Sequence, residues 1–320
     1  MATDTAHADA RSGAPARKRK SKPKRPFLHR PAVVAMVFLL PFLVLYVVFR
    51  VYAVGYAVVL SFQEIQGIGG SAEWTGVDNY RRLLTDRTGF TALRNTMLYT
   101  VGTLLVLIPV PFVLAAILRS RWVARQSMFR SILFLPVLTS LVVVGVVFSL
   151  LLSTNGLLNS FLGLFGVPAQ AWLETQHLAI PAMIIMATWR WTGINIIYFT
   201  TGLSNIPNEL YESAAVDGAG PIRQFWHLSV PLSKPIILFV TVLTIFGGFQ
   251  LFVEPLILWG SGGGPGQGGL SAVVHLYRTA FTSFDLGYAS AIGVVLAAII
   301  MVFSLIVLKA FGFFAKDDER

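Results

Sequence analysis

Six apolar stretches, near 33–60, 95–118, 131–152, 181–202, 236–258 and 288–308, are separated by polar connections along the chain. Each is close to the roughly 20 residues that a helix needs to cross about 30 Å of hydrocarbon. The pattern predicts an all-α, polytopic membrane protein with six transmembrane helices. The first stretch follows a basic tail and outruns the 7–15 apolar residues of a signal-peptide core, roughly stated, with no small-residue cleavage site placed after it, so it is expected to be an uncleaved anchor.

One connection departs from the pattern. Residues 203–235 are far more than a turn requires, and they carry helix start and stop signals. Pro207 suits a first helical turn, Glu209 and Glu212 favour the positive end of the helix dipole, and Gly218 stands where a helix ends in a left-handed residue. The signals predict a helix over 207–217, a glycine turn, and a second helix opened by Pro221, carrying Phe225, Trp226 and Leu228 and stopped by Pro231. Leu210 with Ala214, and Tyr211 with Ala215, form adjacent rows on the first helix, a knob of small and aromatic side chains.

Composition agrees with a bilayer environment: of 320 residues 55% are hydrophobic and 12% charged, with mean hydropathy +0.70, against about 25% charged in soluble domains. The net charge of +10 does not describe a nucleic-acid groove, because nine of the basic residues lie in residues 1–30. That tail is expected to be disordered near anionic lipid, where each basic residue contributes about 1 kcal/mol, and 31–320 forms the transmembrane domain. Basic residues also set the topology. With the tail lie four in 119–130, two in 203–235 and three at the C-terminal end, eighteen together, against five on the other side. Both termini and the 203–235 loop are therefore expected in the cytoplasm.

There is no cysteine, so no disulfide, thiolate metal site or cysteine nucleophile is available. The five histidines, 7, 29, 177, 227 and 275, are scattered, unlike the clustered set of a membrane enzyme. A secondary transporter should show inverted repeats and intramembrane carboxylates; no repeat is evident, and Glu254 is the evident carboxylate. The glycine run at 260–269 lacks the lysine of a phosphate loop and reads as a flexible turn on the outer side.

Glu212-Ser213-Ala214, then Gly218, then Leu228-Ser229-Val230-Pro231 resemble the EAA loop of permease subunits in binding-protein-dependent ABC importers, with Ser213, Leu228 and Val230 as conservative departures. The segments at 76–84, 129–140, 155–166, 189–195, 202–219, 262–266 and 277–291 are similar to the sugar-type, MalF-like branch. The resemblance implies a bacterial plasma-membrane heterodimer of two permease subunits. Each presents its loop to a cytoplasmic ATPase, an extracytoplasmic solute-binding protein delivers a sugar or oligosaccharide, and this chain binds no cofactor, ATP being used by the partner. Importers of a polyamine, phosphate or glycerol phosphate share the pattern. On this resemblance Glu212, Ser213, Ala214, Asp217, Gly218 and Pro231 couple to the ATPase. Glu212 can equally be a solvated helix-start carboxylate and Asp217 a local turn acceptor.

For the substrate path the candidates are Arg190, Asn195, Tyr198, Gln250, Glu254 and Trp259, a mixture of hydrogen-bonding groups and rings that suits sugar hydroxyls and faces. Each has a second reading. A charge within a span, such as Arg190 between Trp189 and Trp191, is a functional hypothesis by default, yet it can also pair with a neighbouring helix or with backbone carbonyls. Asn195 and Gln250 can bond between helices, and Trp259 can belong to an interfacial belt. Pro255 is expected to kink the fifth span, with Gly247 and Gly248 before it allowing bending or close approach.

Overall fold

The computed structural model describes residues 31–65, 70–119 and 125–312, with side chains from residue 35 onward. The basic tail, whose disorder the sequence predicts, lies outside the described residues. Packing divides the chain into two units, Met1–Val54 and Gly55–Arg320. In the first, α1 (Pro31–Tyr46) passes through a π turn (Val47–Val51) into α2 (Tyr52–Leu60), whose remainder belongs to the second unit. Phe42 stacks on Tyr46 one turn further on, with ring centres 6.0 Å apart.

The second unit opens with a two-residue hairpin, β1 (Gln63–Glu64) antiparallel to β2 (Glu73–Trp74), in which Gln63 faces Trp74. Then α3 (Asp78–Thr85) leads into α4 (Arg87–Leu107) and α5 (Pro109–Arg119). They are followed by α6 (Gln126–Leu138), α7 (Leu141–Leu151), the short α8 (Leu157–Gly163) and the 26-residue α9 (Ala179–Ser204). The predicted polar loop holds α10 (Asn208–Val216), α11 (Pro221–Gln224), a π turn (Phe225–Ser229) and α12 (Val230–Leu232). Last come α13 (Lys234–Phe249), α14 (Val253–Trp259), α15 (Ala272–Phe281) and α16 (Leu286–Ala310).

α9 is the central helix, packed against α4, α5, α6, α7 and α13. Its faces feed three cores. Ile196, Phe199 and Leu203 meet Phe112, Ala115 and Leu118 of α5 and Val240 of α13. Ala182 and Met186 meet Val144, Phe148 and Leu152 at α7, and Met183 and Ala187 meet Tyr99 and Leu251. Phe112 and Phe199 close edge to face at 5.2 Å, an arrangement the ring quadrupoles favour.

Three expectations are corrected. The hydrophobic pattern predicts six spans, each continuous; among the described residues four helical stretches, Ala35–Leu60, Arg87–Arg119, Lys234–Gly262 and Leu286–Ala310, are long and apolar enough to cross a membrane, or five if the bent pair α6 and α7 is one span. The stretch that reads as one span at 131–152 is the pair α6 and α7, bent by 96°. Pro136 cannot donate to the turn before it, and Thr139 and Ser140 take extended conformations (ψ 141° and 133°) that end one helix and start the next. The remaining stretch, 181–202, lies in α9, about 39 Å long at 1.5 Å per residue, but its polar positions keep it out of that apolar class.

The second correction is at Pro231. It does not stop the second loop helix, because the path widens into the π turn, whose Phe225 carbonyl accepts from the Val230 N–H, and continues through Leu232. The wider turn accommodates a ring that an α-turn would drive against the preceding carbonyl. The third is at Pro255. It lies in the first turn of α14, where no donor is missed, and the fifth stretch is instead interrupted before it, at 250–252, with Phe252 at φ −137°, ψ −55°.

Candidate functional site

The polar side chains of α9 lie where neighbouring helices break. In an unbroken helix the Leu107 carbonyl would accept from residue 111, but that residue is proline and has no N–H. The buried Asn195 carboxamide donates there instead, at 3.1 Å. Five residues earlier, at the bend between α6 and α7, Arg190 Nη1 donates to the Thr139 carbonyl (2.5 Å) and to that of Pro136 (3.3 Å), which also accepts from the Thr139 N–H at 3.2 Å. Gly193 makes this reach possible: a Cβ there would run into the Leu133 carbonyl, so the glycine lets the α6 backbone lie directly on α9. The guanidinium also lies 5.2 Å from the Trp191 ring, and its buried Nε has no hydrogen-bond partner among the described residues.

The other path candidates divide by their surroundings. Gln250 is exposed at the break between α13 and α14. Glu254 is buried in the first turn of α14. Tyr198 is half-buried, edge-on to Phe239 at 5.5 Å. Trp259 donates from Nε1 to the Leu173 carbonyl at 2.7 Å, and its indole fills the space that a side chain at Gly264 or Gly269 would need, so it pins the glycine run. Gly248 lets α13 approach Thr100 of α4, whereas nothing among the described residues lies within 4 Å of a Cβ at Gly247.

At the far end of α9 the two-helix loop follows the predicted plan. Gly218 has φ +80°. Its N–H bonds to the Ala215 carbonyl at 3.0 Å and the Ala219 N–H to Ala214 at 2.8 Å, the paired bonds of a Schellman end. The Gln224 side chain then donates to the carbonyls of Ala219 (2.9 Å) and Tyr211 (3.3 Å), folding α11 back against α10. Glu212, Ser213, Asp217 and Gly218 are exposed, and Ala214 and Pro231 half-buried. Tyr211 is not part of an outward knob. It packs on the α5/α9 core and its hydroxyl meets Ser229 Oγ at 2.9 Å. The outward surface of the helix includes Glu209, Leu210, Glu212, Ser213, Ala215 and Val216, the last 88% exposed.

Two polar groupings are not legible in the sequence. One centres on Arg119, the last residue of α5. Its Nη1 donates to the Leu203 carbonyl and its Nη2 to Ile206 O (3.3 Å) and Asn208 Oδ1 (2.8 Å), with the Tyr211 ring 5.2 Å away. In the sequence it is one more basic residue beside an apolar stretch, indistinguishable from a topology signal. The other lies at the opposite end of α4. Asp86 caps α4 through Thr88 N (2.8 Å), and its Oδ2 also accepts from Tyr288 Oη (2.8 Å) and meets His275 Nε2 (3.1 Å). Arg278 Nη2 approaches His275 Nδ1 at 3.4 Å. Since arginine can only donate, Nδ1 accepts and Nε2–H donates to Asp86, the neutral tautomer. Burial holds His275 below the ordinary histidine range against the pull of Asp86. Burial pushes the Asp86 carboxyl up, but the bonds from Tyr288, Gly89 and Thr88 outweigh it and hold the group below the ordinary range. Arg82 closes the cluster, pairing with Asp285 at 2.6 Å and lying 4.1 Å over the Tyr288 ring.

This is a multi-pass, all-helical membrane protein with a structured two-helix insert. Residues 108–316 match the model of the binding-protein-dependent transport system inner membrane component family, and the chain belongs to that family, the membrane permease subunits of ABC transporters. It is 41% identical over 283 residues, 88% of this chain and 89% of the relative, to the arabinooligosaccharides transport system permease protein AraP of Bacillus subtilis (strain 168). With the lactose transport system permease protein LacF of Rhizobium radiobacter it shares 32% identity over 84% of this chain and 91% of the relative. Its fold matches a chain in the crystal structure of a bacterial ABC transporter involved in the import of the acidic polysaccharide alginate, with TM-score 0.73, 22% identity, and coverage of 89% of this chain and 96% of that one.

Proposed function

We propose that this chain is one permease subunit of an ATP-driven, solute-binding-protein-dependent importer, and that it forms half of the translocation pathway for a sugar or oligosaccharide. A second permease subunit completes the pathway, separate cytoplasmic ATPase subunits hydrolyse ATP, and an extracytoplasmic binding protein delivers the cargo. The observation that carries the reading is the loop between α9 and α13. Its outward face presents Glu212, Ser213 and Asp217 to an ATPase, Gly218 fixes the angle between its helices, and Tyr211 and Arg119 fasten it to the membrane-spanning body. The sugar class rests on the cargo in the relatives' names, arabinooligosaccharides and lactose. The distribution of basic residues supports a cytoplasmic position for both termini and the loop, a topology that needs α9 to cross as well. Gln250, Glu254 and Arg190 are the groups we assign to the path. Asn195, Tyr198 and Trp259 have hydrogen-bond or ring partners within the chain and support its walls.

The test is the assembled transporter in proteoliposomes carrying Gly218→Val or Glu212→Lys. Valine at φ +80° costs about 2 kcal/mol in backbone conformation alone, since no atom of the described residues lies within 4 Å of a Cβ there. Both variants should insert and pair with the second permease, yet lose ATP hydrolysis stimulated by loaded binding protein. Normal ATPase co-purification and stimulation in both would remove the loop as the coupling element.

A further inference from the structure

We propose that Arg119 is the positioning residue that transmits displacement of the coupling loop to the α4/α5 arm, an inference that rests on the coupling role given to the loop. Two elements, α5 and α9, end around its guanidinium, and one, α10, begins there. Leu203 is in the last turn of α9, at the negative end of the helix dipole, where its carbonyl also accepts from the Ile206 N–H at 3.3 Å. Arg119 donates to Leu203 O there, to Ile206 O in the connection, and to Asn208 Oδ1 in the first turn of α10. Tyr211, one turn along α10, places its ring 5.2 Å from the guanidinium carbon and its hydroxyl on Ser229 in the π turn. One side chain thus touches α9, the connection and α10, and reaches the second loop helix through a single intermediary.

The root of Arg119 is rigid. Its helix buries Phe112, Ala115 and Leu118 against Phe199, Leu203, Ile206 and Val240, and Phe225 of the loop packs on Phe112 with ring centres 5.4 Å apart. A push on α10 therefore has two routes into the bundle. The apolar route can slide, because packed side chains tolerate small shears without losing contact. The guanidinium cannot: its planar fork satisfies directional acceptors on both sides of the α9–α10 connection at once, and moving α10 without α5 would break them. Lysine has the charge but neither the fork nor the stacking plane, so shape as well as charge is required.

The decisive experiment compares Arg119→Lys, Arg119→Ala, Asn208→Ala and Tyr211→Leu in the complete transporter, reading complex yield, ATP hydrolysis stimulated by loaded binding protein, and solute imported per ATP hydrolysed. Loss of hydrogen bonds to a charged group predicts about a tenfold fall in coupled uptake for Arg119→Ala, with a smaller fall for Arg119→Lys and complex yield retained. Asn208→Ala and Tyr211→Leu should each produce part of that loss and add little to it in the double variants. Import per ATP equal to wild type in Arg119→Lys overturns the proposal, and so does full additivity in the doubles. If Arg119→Ala fails to assemble, the lysine, Asn208 and Tyr211 variants decide between these outcomes by themselves. Failure of Gly218→Val to uncouple would sink the loop reading itself; an uncoupled Gly218→Val beside fully coupled Arg119 variants would sink the clamp alone.

Discussion

The two ends of the α4–α5 arm are fastened in different ways. At the Arg119 end a permanently charged guanidinium bonds to two backbone carbonyls and one carboxamide. At the Asp86 end the fastening is made between side chains that titrate, Asp86, His275 and Tyr288, with Arg278 and Arg82 around them. Carbonyls belong to the chain path, so a clamp on them follows the backbone wherever it is pushed. The Asp86 cluster instead locks the starts of α4 and α16 to α15 and resists motion between them. The first arrangement suits a joint that carries movement at any cellular pH; the second suits a fixed anchor whose strength depends on protonation.

The sharpest way to break this contrast is Gly218→Val. It should abolish coupled uptake, at least a tenfold loss, in a complex that still assembles, because its backbone cost falls in an exposed loop where, among the described residues, the added Cβ meets nothing within 4 Å. Asp86→Ala should do the opposite. Removing a helix cap and the acceptor for two buried donors costs about 2–4 kcal/mol, which differential scanning fluorimetry would read as a lowered transition, with import per ATP unchanged in the protein that remains folded. An uncoupled but stable Asp86→Ala transporter would erase the distinction between joint and anchor.

A smaller effect separates the two ends by pH. His275 is held below its ordinary value by burial, so the folded state keeps it neutral while the unfolded chain takes up a proton near pH 6.5 or so. Stability is therefore full above that pH and is lost as pH falls through it toward the lowered folded value. The corresponding window for Asp86, also lowered, lies below about pH 4, outside this range. As pH falls through the His275 window the wild type should lose stability, a loss that His275→Gln should remove and Arg119→Lys should not. Equal pH slopes in wild type and His275→Gln would discard the neutral-histidine assignment. Least is expected of Arg82→Ala: its pair with Asp285 has an arginine side chain 56% exposed, and exposed pairs contribute about 1 kcal/mol or less. A larger shift would mean that Arg82 stacking on Tyr288 matters more than the ion pair.

The amino-acid sequence by itself determined what local rules govern. Apolar runs of membrane-spanning length gave the all-helical class, and Pro207, Gly218 and Pro221 gave the helix, glycine turn and helix of the loop, because capping, φ preference and the missing proline N–H act within four or five residues. What the tertiary structure decided lies beyond that range. Arg119 meets its carbonyl across 84 positions, and Asp86 meets His275 and Tyr288 across 189 and 202; no periodicity carries such pairings. The bend at Thr139 was hidden for a related reason. Its apolar composition is that of a straight span, and freed carbonyls are tolerable at membrane depth only when another segment supplies donors. Arg190 supplies them, across the close approach that Gly193 permits. Charge and hydrogen-bonding capacity can be read from residue identity, but which backbone group they satisfy depends on where a distant helix breaks, and that is fixed only when the helices pack.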